Sequence, residues 1–117
     1  MVKTLHFNNK TLTFSAPKVN GPKIMGIVNV TPNSFSDGGD YFTHKAALTH
    51  AYTLIKEGVD ILDIGAESTN PKAKPITSEE EIARLLPVVK ELRQQVSIPL
   101  SVDTFRPETM KVMIDEG

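Results

Sequence analysis

The strongest constraint on the fold is an alternation, repeated three times, between a short apolar run and a longer segment of helical period. The predicted strands lie at 24–30, 59–65 and 100–104. The predicted helices run from Thr43 to Glu57, from Thr77 or Ser78 through Leu92, and from Pro107 to Glu116. Because strands that alternate with helices form parallel sheets through right-handed crossovers, we expect an α/β fold with three βα units.

Residues at the helix ends support these boundaries. Thr77 and Ser78 each stand three residues before a glutamate, so either can begin the second helix with a capping box. Pro87 removes a backbone donor inside that helix and predicts a kink. Gly58 predicts the end of the first helix, because glycine adopts the left-handed conformation without a Cβ clash.

A β-hairpin is predicted ahead of the βα units. Two short alternating segments within residues 4–14 flank Asn8-Asn9-Lys10, a combination typical of a hairpin turn. A polar connector, 15–23, follows this N-terminal flap. The nearly continuous apolarity of 24–30 then predicts a strand that is covered on both faces.

The chain length limits how much of a barrel these units can form. A (β/α)₈ barrel takes about 250 residues, and this chain has 117. We therefore expect the N-terminal portion of a TIM (β/α)₈ barrel, with a small open α/β sheet as the alternative. In this interpretation 1–117 is part of one domain, with the hairpin flap and connector at 1–23 and the βα units at 24–117.

Composition excludes several classes of protein. A net charge of −1 argues against a broad cationic surface for nucleic acid or an acidic membrane. The absence of cysteine excludes disulfide frameworks, cysteine-based zinc sites and thiol nucleophiles. The N-terminus lacks the apolar core of a signal peptide, and no segment reaches the ~20 apolar residues of a membrane span. A cytoplasmic location is the default expectation.

Polar clusters follow all three predicted strands. The first strand runs into 29–39 (NVTPNSFSDGG), the second into 65–71 (GAESTNP), and the third ends at Asp103. Ligands of α/β proteins bind at the carboxyl ends of parallel strands, where the βα loops converge. The sequence therefore predicts a ligand site at this end of the sheet.

Residues of the first loop each have a functional and a structural interpretation. The amide oxygen of Asn29 could hold a hard cation such as Mg²⁺ or could bond its own backbone in a turn. Asp37 could supply a second oxygen to such a cation or could form an Asx turn. Phe35 either plugs the mouth of the barrel or covers an aromatic substrate as part of a lid.

The later loops leave similar alternatives. Ser68 and Thr69 could bind phosphate oxygens or belong to an ordinary loop. Asp103 lies within a β-run, so we expect a buried carboxylate that needs a partner. That partner is either Arg106, in a structural salt bridge, or two N–H groups of a flat heterocycle. Asp63, Glu67 and the three histidines receive no catalytic role.

Three motifs together resemble the dihydropteroate synthase family. They are 25–39 (MGIVNVTPNSFSDGG), 63–69 (DIGAEST) and 101–104 (SVDT), which occur in the family's order at its first three strand ends. The resemblance implies a TIM barrel that joins 4-aminobenzoate to 6-hydroxymethyl-7,8-dihydropterin diphosphate, with Mg²⁺ as cofactor. It also implies small-molecule substrates, no nucleic-acid or membrane partner, and a homodimer.

The resemblance also implies roles for individual residues. Asn29 would bind Mg²⁺, Thr69 would contact the pterin diphosphate, and Asp103 would hold the pterin ring. The remaining roles concern the first two loops: Phe35 and Pro71 would shape the 4-aminobenzoate pocket, and Asp37 would act in catalysis by closing the first loop around the leaving group.

Three positions depart from the family's pattern. Asn33 stands where an aspartate is frequent, and Ala66 stands where glycine is usual. Asn70 and Lys72 replace an arginine and a glycine, which removes a bidentate group for phosphate, although Lys72 or Lys74 could supply a point charge. The Asn-Pro-x-Ala-x-Pro run, 70–75, is similar to the sulfonamide-insensitive branch of this family of sulfonamide targets.

Two other functions fit parts of the sequence. Pterin-binding barrels that transfer methyl groups share the aspartate but should lack the Phe-containing loop at 31–39. A non-catalytic pterin- or protein-binding fragment is the second alternative, because three βα units would expose apolar strand edges. We expect the 117 residues alone to be inactive or poorly folded.

Overall fold

The computed structural model describes residues 3–7, 10–14, 22–32, 41–68 and 70–117. It begins with an antiparallel hairpin of β1 (Lys3–Phe7) and β2 (Lys10–Phe14), in which Leu5 lies opposite Leu12. The predicted hairpin is therefore confirmed.

A three-stranded parallel sheet follows, in the order β3-β4-β5. Its strands are β3 (Met25–Asn29), β4 (Ile61–Gly65) and β5 (Leu100–Asp103). The helices are α1 (Tyr41–Glu57), α2 (Ser78–Gln95) and α3 (Pro107–Asp115). The predicted order of elements is confirmed, and the observed strands are shorter than the predicted runs by one or two residues.

The helix ends follow from local chemistry. Gly58 has φ +100°, the left-handed conformation expected after a helix. Thr77 is the N-cap of α2, and its Oγ1 accepts a hydrogen bond from the Glu80 N–H at 3.1 Å. Ser78, the other predicted cap, is already helical. The helix continues through Pro87, which is exposed.

The hydrophobic core lies between one face of the sheet and the helices. Fully buried core side chains of β3, β4 and α2 include Val28, Leu62, Ile64, Leu85, Val88 and Leu92. Gly26 allows α1 to approach β3, because a Cβ at this position would lie 2.9 Å from Leu54 Cδ1. This burial supplies most of the driving force that holds the helices against the sheet.

The opposite face of β3 is exposed, contrary to the prediction that this strand is covered on both sides. Met25 and Ile27 retain 51% and 59% of their accessible surface, while Gly26 and Val28 are buried. The physical reason is that the parallel sheet of the described residues has three strands, whereas a closed barrel would enclose this face with further strands. Within the described ranges, no helix has both the length and the apolarity needed to cross a membrane.

Candidate functional site

Asn29, Gly65 and Asp103 form one row across the carboxyl end of the sheet. Asn29 pairs with Gly65, and Gly65 pairs with Asp103. Since residues paired in register point to the same face, the two polar side chains flank a position without a side chain. Neighbouring strands lie about 4.8 Å apart, so Asn29 and Asp103 are separated by roughly 10 Å.

A polar pair lies one row below. Asp63 pairs with Ile27 and Ser101, and Ser101 Oγ donates a hydrogen bond to Asp63 Oδ1 at 2.8 Å. Both side chains are half-buried. The hydroxyl satisfies one oxygen of a half-buried carboxylate that would otherwise lose hydrogen bonds to water. This pair forms a polar floor under the row of Asn29 and Asp103.

The expected burial of Asp103 is wrong for the described structure, and the salt bridge to Arg106, one of the two alternatives for its partner, is not formed. Asp103 is exposed. Arg106 instead reaches the loop after β4, where its Nη1 and Nη2 donate to the two carboxylate oxygens of Glu67 at 2.8 and 3.2 Å. The geometry explains the difference, because the two-pronged guanidinium matches a carboxylate that faces it side-on.

The guanidinium of Arg106 has further partners. Its Nη2 donates to the backbone carbonyl of Ile76 at 2.6 Å, and its Nη1 lies 3.3 Å from Oε2 of Glu81, which is 1% exposed. Thr104 Oγ1 donates to the other oxygen of Glu81 at 2.7 Å. The ring of Phe105 covers the guanidinium, with 4.3 Å between Cζ and the ring centroid. Glu81 is therefore a buried carboxylate with a partner on each oxygen.

These contacts change the electrostatics of the pair. The hydrogen bond from Arg106 holds the pKa of Glu67 below its ordinary value of 4.5, against the opposing effect of desolvation. The same bond raises the pKa of Arg106, again against desolvation. Both groups are therefore charged at neutral pH.

A cavity of about 270 Å³ opens beside this network at the carboxyl end of the sheet. Its lining combines acidic, hydroxyl and aromatic side chains: Glu67, Ser68, Glu81, Asp103, Thr104 and Phe105. A larger cavity of about 660 Å³ lies between α1 and α2, on the helical side of the sheet. The smaller cavity is the candidate ligand site, because it contains Asp103 and the loop that follows β4.

Asn70 organises the loop after β4 through its own backbone and side chain. Its Oδ1 accepts from the Lys72 N–H at 3.0 Å, and its carbonyl accepts from the Ala73 N–H at 2.9 Å. Its N–H donates to Ser68 Oγ at 3.1 Å. The residue that stands in place of the family's usual arginine is thus a turn former here. Pro71 and Lys72 are exposed beside it.

The predicted site residues divide into two groups. Asn29, Pro71 and Asp103 lie in the described structure, at the strand end or in the loop where they were expected. Phe35, Asp37 and Thr69, together with Asn33, lie outside the described residues.

Asn29 is a candidate metal ligand because it is exposed and supplies an amide oxygen. Mg²⁺ commonly takes one or two protein oxygens and completes its shell with water and substrate phosphate. The described residues contain no group of three or more His, Cys, Asp or Glu side chains arranged to hold a metal. A single amide oxygen fits a cation that takes its other ligands from water and a phosphate-bearing ligand.

Sequence reasoning missed the network of Glu81 and Arg106. One signal was available, since Glu81 occupies the helical stripe that continues through Leu85, Val88 and Leu92, all buried. An acidic residue in an apolar stripe requires a buried cation or donor. Arg106 was considered only as a partner for Asp103, its near neighbour in sequence.

The fold and the strand-end site define a class of protein. The family model described as "Pterin binding enzyme" matches residues 25–117, and the chain belongs to this family. Its named relatives are dihydropteroate synthases. The chain is 44% identical over 94 residues to the enzyme of Streptococcus pyogenes serotype M1, an alignment that covers 80% of the chain and 35% of the relative.

Solved structures of dihydropteroate synthase have the same arrangement of elements. The Xanthomonas albilineans enzyme with 4-aminobenzoic acid superposes with a TM-score of 0.82 at 47% identity, covering 97% of this chain and 40% of that one. The complex of the X. albilineans enzyme with 7,8-dihydropteroate gives a TM-score of 0.75 at 38% identity, with 97% and 37% covered. The three βα units are thus part of a TIM barrel, as predicted. The chain spans about a third of the length of the curated relatives it matches.

Proposed function

We propose that the full-length natural protein containing these residues is a dihydropteroate synthase. It would condense 4-aminobenzoate with 6-hydroxymethyl-7,8-dihydropterin diphosphate and release pyrophosphate. The observation that carries the proposal is the row of Asn29, Gly65 and Asp103, which places an amide and a carboxylate on either side of a glycine at the strand ends. The relatives crystallised with 4-aminobenzoic acid and with 7,8-dihydropteroate support the choice of substrates.

In this function Asp103 binds the pterin. A carboxylate accepts two parallel N–H bonds from the pyrimidine edge of a pterin, a bidentate arrangement that gives both affinity and orientation. Its exposed position, beside the 270 Å³ cavity, keeps both oxygens open to a ligand. Thr69 would contact the diphosphate, and Phe35 and Pro71 would shape the 4-aminobenzoate pocket.

Asn29 would hold Mg²⁺ together with the diphosphate oxygens of the substrate. When bound, the cation neutralises charge that builds up on the leaving group. Asp37 would act in catalysis by helping the first loop close around that group. The chain's own part is to fix the pterin at Asp103, so that its methylene carbon faces the incoming amine.

The reaction needs no covalent nucleophile from the protein. The C–O bond between the pterin methylene and the diphosphate breaks, and both electrons leave with pyrophosphate. The amino nitrogen of 4-aminobenzoate forms the new C–N bond and then loses a proton. Fixed donors around the diphosphate lower the barrier because they stabilise the developing negative charge.

The test is an assay of the purified full-length protein with both substrates and Mg²⁺, following dihydropteroate by chromatography and pyrophosphate by a coupled assay. We expect equimolar products and loss of turnover with a chelator. Lys90→Ala, at an exposed lysine of α2 whose Nζ lies 4.0 Å from Glu116, is a matched control that should retain activity. Binding of a pterin without formation of dihydropteroate would contradict the proposal and favour a methyl-transferring or non-catalytic barrel.

Three further properties remain predictions. We expect a homodimer and a cytoplasmic location, as the family resemblance and the sequence indicate. We also expect weak inhibition by sulfonamides, because Asn70 forms a turn instead of supplying a guanidinium. An inhibition constant like that of sensitive enzymes would contradict the last prediction.

A further inference from the structure

We infer that Arg106 is a positioning residue that fixes the substrate-binding loop after β4 against the end of β5. The inference rests on the proposed function and extends it to Arg106, which does not line the 270 Å³ cavity. Arg106 lies three residues after Asp103, the carboxylate that binds the pterin in the proposed function. It contacts the two ends of the neighbouring loop, 67–76, through one guanidinium.

The loop is held at both ends. Glu67, at its start, accepts two hydrogen bonds from Arg106, and Ile76, at its finish, accepts a third through its carbonyl. The Ile76 N–H also lies 3.5 Å from Glu67 Oε1. Because the ends are fixed to one rigid group, the described part of the loop between them, which includes Pro71, has fewer accessible conformations.

Helix α2 anchors the guanidinium itself. Glu81, in the first turn, is 1% exposed and lies 3.3 Å from Arg106 Nη1. Thr104 links the same carboxylate to the backbone beside Arg106, since its Oγ1 donates to Glu81 and accepts from the Arg106 N–H at 3.2 Å. The carbonyl of Ala66 also accepts from Arg84 of α2 at 2.8 Å. The two βα loops therefore share a support that is buried in the body of the domain.

The consequence is a fixed relation between two substrate contacts. Asp103 would hold the pterin ring, while the loop of Thr69 would hold its diphosphate, so one substrate spans both elements. If the support loosens, the ligand must order the loop when it binds, which weakens affinity. The groups that contact the pterin ring and the diphosphate stay the same.

The experiment uses the full-length protein with Glu67→Gln and Arg106→Lys. The first keeps the shape of the side chain and removes its charge, and the second keeps a cation near Glu81 but loses the bidentate geometry. We expect KM for the pterin diphosphate to rise roughly ten- to hundredfold, the range that small misplacements produce. Arg106→Ala should show a larger rise, and Arg106→Lys should rescue part of it.

Thr77→Ala is the matched control, because it weakens the N-cap of the same helix and leaves the network intact. Loss of stability alone reduces the folded fraction and hence apparent kcat, whereas loosening of the loop raises KM. An unchanged KM in Glu67→Gln and Arg106→Lys, or an equal rise in Thr77→Ala, would overturn the inference. If the wild-type protein binds neither substrate, the proposed function has failed and this inference fails with it.

Discussion

Asn29 and Asp103 lie on the same face of the sheet, two strands apart, with Gly65 between them. The absence of a side chain at Gly65 leaves a gap of roughly 10 Å at the carboxyl ends of the strands. Neither polar residue could define a site alone, because Asn29 supplies one neutral oxygen and Asp103 one exposed carboxylate. Their separation across a glycine places two polar side chains on either side of an open position, and in the proposed function these are opposite walls of the pterin diphosphate site.

Gly65→Val should block ligand binding without unfolding the protein. A Cβ at Gly65 would lie 3.7 Å from Asp103 Cβ, an ordinary contact, but the valine would fill the gap. We expect the Kd for the pterin diphosphate, measured by calorimetry, to rise roughly tenfold or more, equivalent to about 1.4 kcal/mol. Gly26→Val is the contrast, since it clashes with Leu54 and should destabilise by about 1–3 kcal/mol. Unchanged affinity in Gly65→Val would remove Gly65 from the site.

Asp103→Asn should weaken pterin binding roughly hundredfold, because hydrogen bonds to a charged acceptor contribute about 1.5–3 kcal/mol each. Its Tm should stay close to wild type, since Asp103 is exposed. Asp115→Asn, at an exposed carboxylate of α3, is the matched control for charge. Retention of wild-type affinity in Asp103→Asn would contradict the pterin-binding role.

Acid should weaken the contact between Glu67 and Arg106. The pKa of Glu67 is lowered in the folded state, so its contribution to stability is complete above its ordinary value of 4.5 and is lost as pH falls below it. Thermal unfolding of wild type and Glu67→Gln across pH should therefore show a difference at pH 6 that shrinks toward pH 3. Glu57→Gln, at an exposed carboxylate, should show the same dependence of Tm on pH as wild type. A Tm difference between wild type and Glu67→Gln that stays constant across pH would contradict the prediction.

Asn70→Arg should strengthen binding of the pterin diphosphate severalfold by restoring a bidentate group for phosphate. The gain should fall as salt is raised, because the added attraction is electrostatic. Asn70→Ala separates this effect from loss of the turn bond to the Lys72 N–H. A KM for Asn70→Arg equal to that of Asn70→Ala would show that no phosphate lies within reach.

The 117 residues alone should form no detectable dihydropteroate. Met25 and Ile27 expose 51% and 59% of their surface on the face that a closed barrel would cover. The isolated segment should therefore bind a hydrophobic dye and aggregate more readily than the full-length protein. Turnover by the segment would overturn this expectation.

Local sequence signals predicted the elements well because they act over a few residues. Gly58 ends α1, Thr77 caps α2, and Pro107 begins α3, each for a reason that depends only on its neighbours in the chain. The positions of Asn29 and Asp103 at one edge of the sheet were predicted, since the carboxyl ends of parallel strands lie at the same edge. The partner of Arg106 was not predicted, because Arg106 binds Glu67, 39 residues away in sequence, and not the nearer Asp103.

The sequence by itself determined the order of strands and helices, the end of the sheet that carries the site, and the family, because periodicity, caps and motifs are written in consecutive residues. Only the tertiary structure decided that Gly65 separates Asn29 from Asp103, and that Glu81 is buried against Arg106. Register and ion pairing depend on which groups packing brings within a few ångströms, and spacing along the chain does not specify that distance.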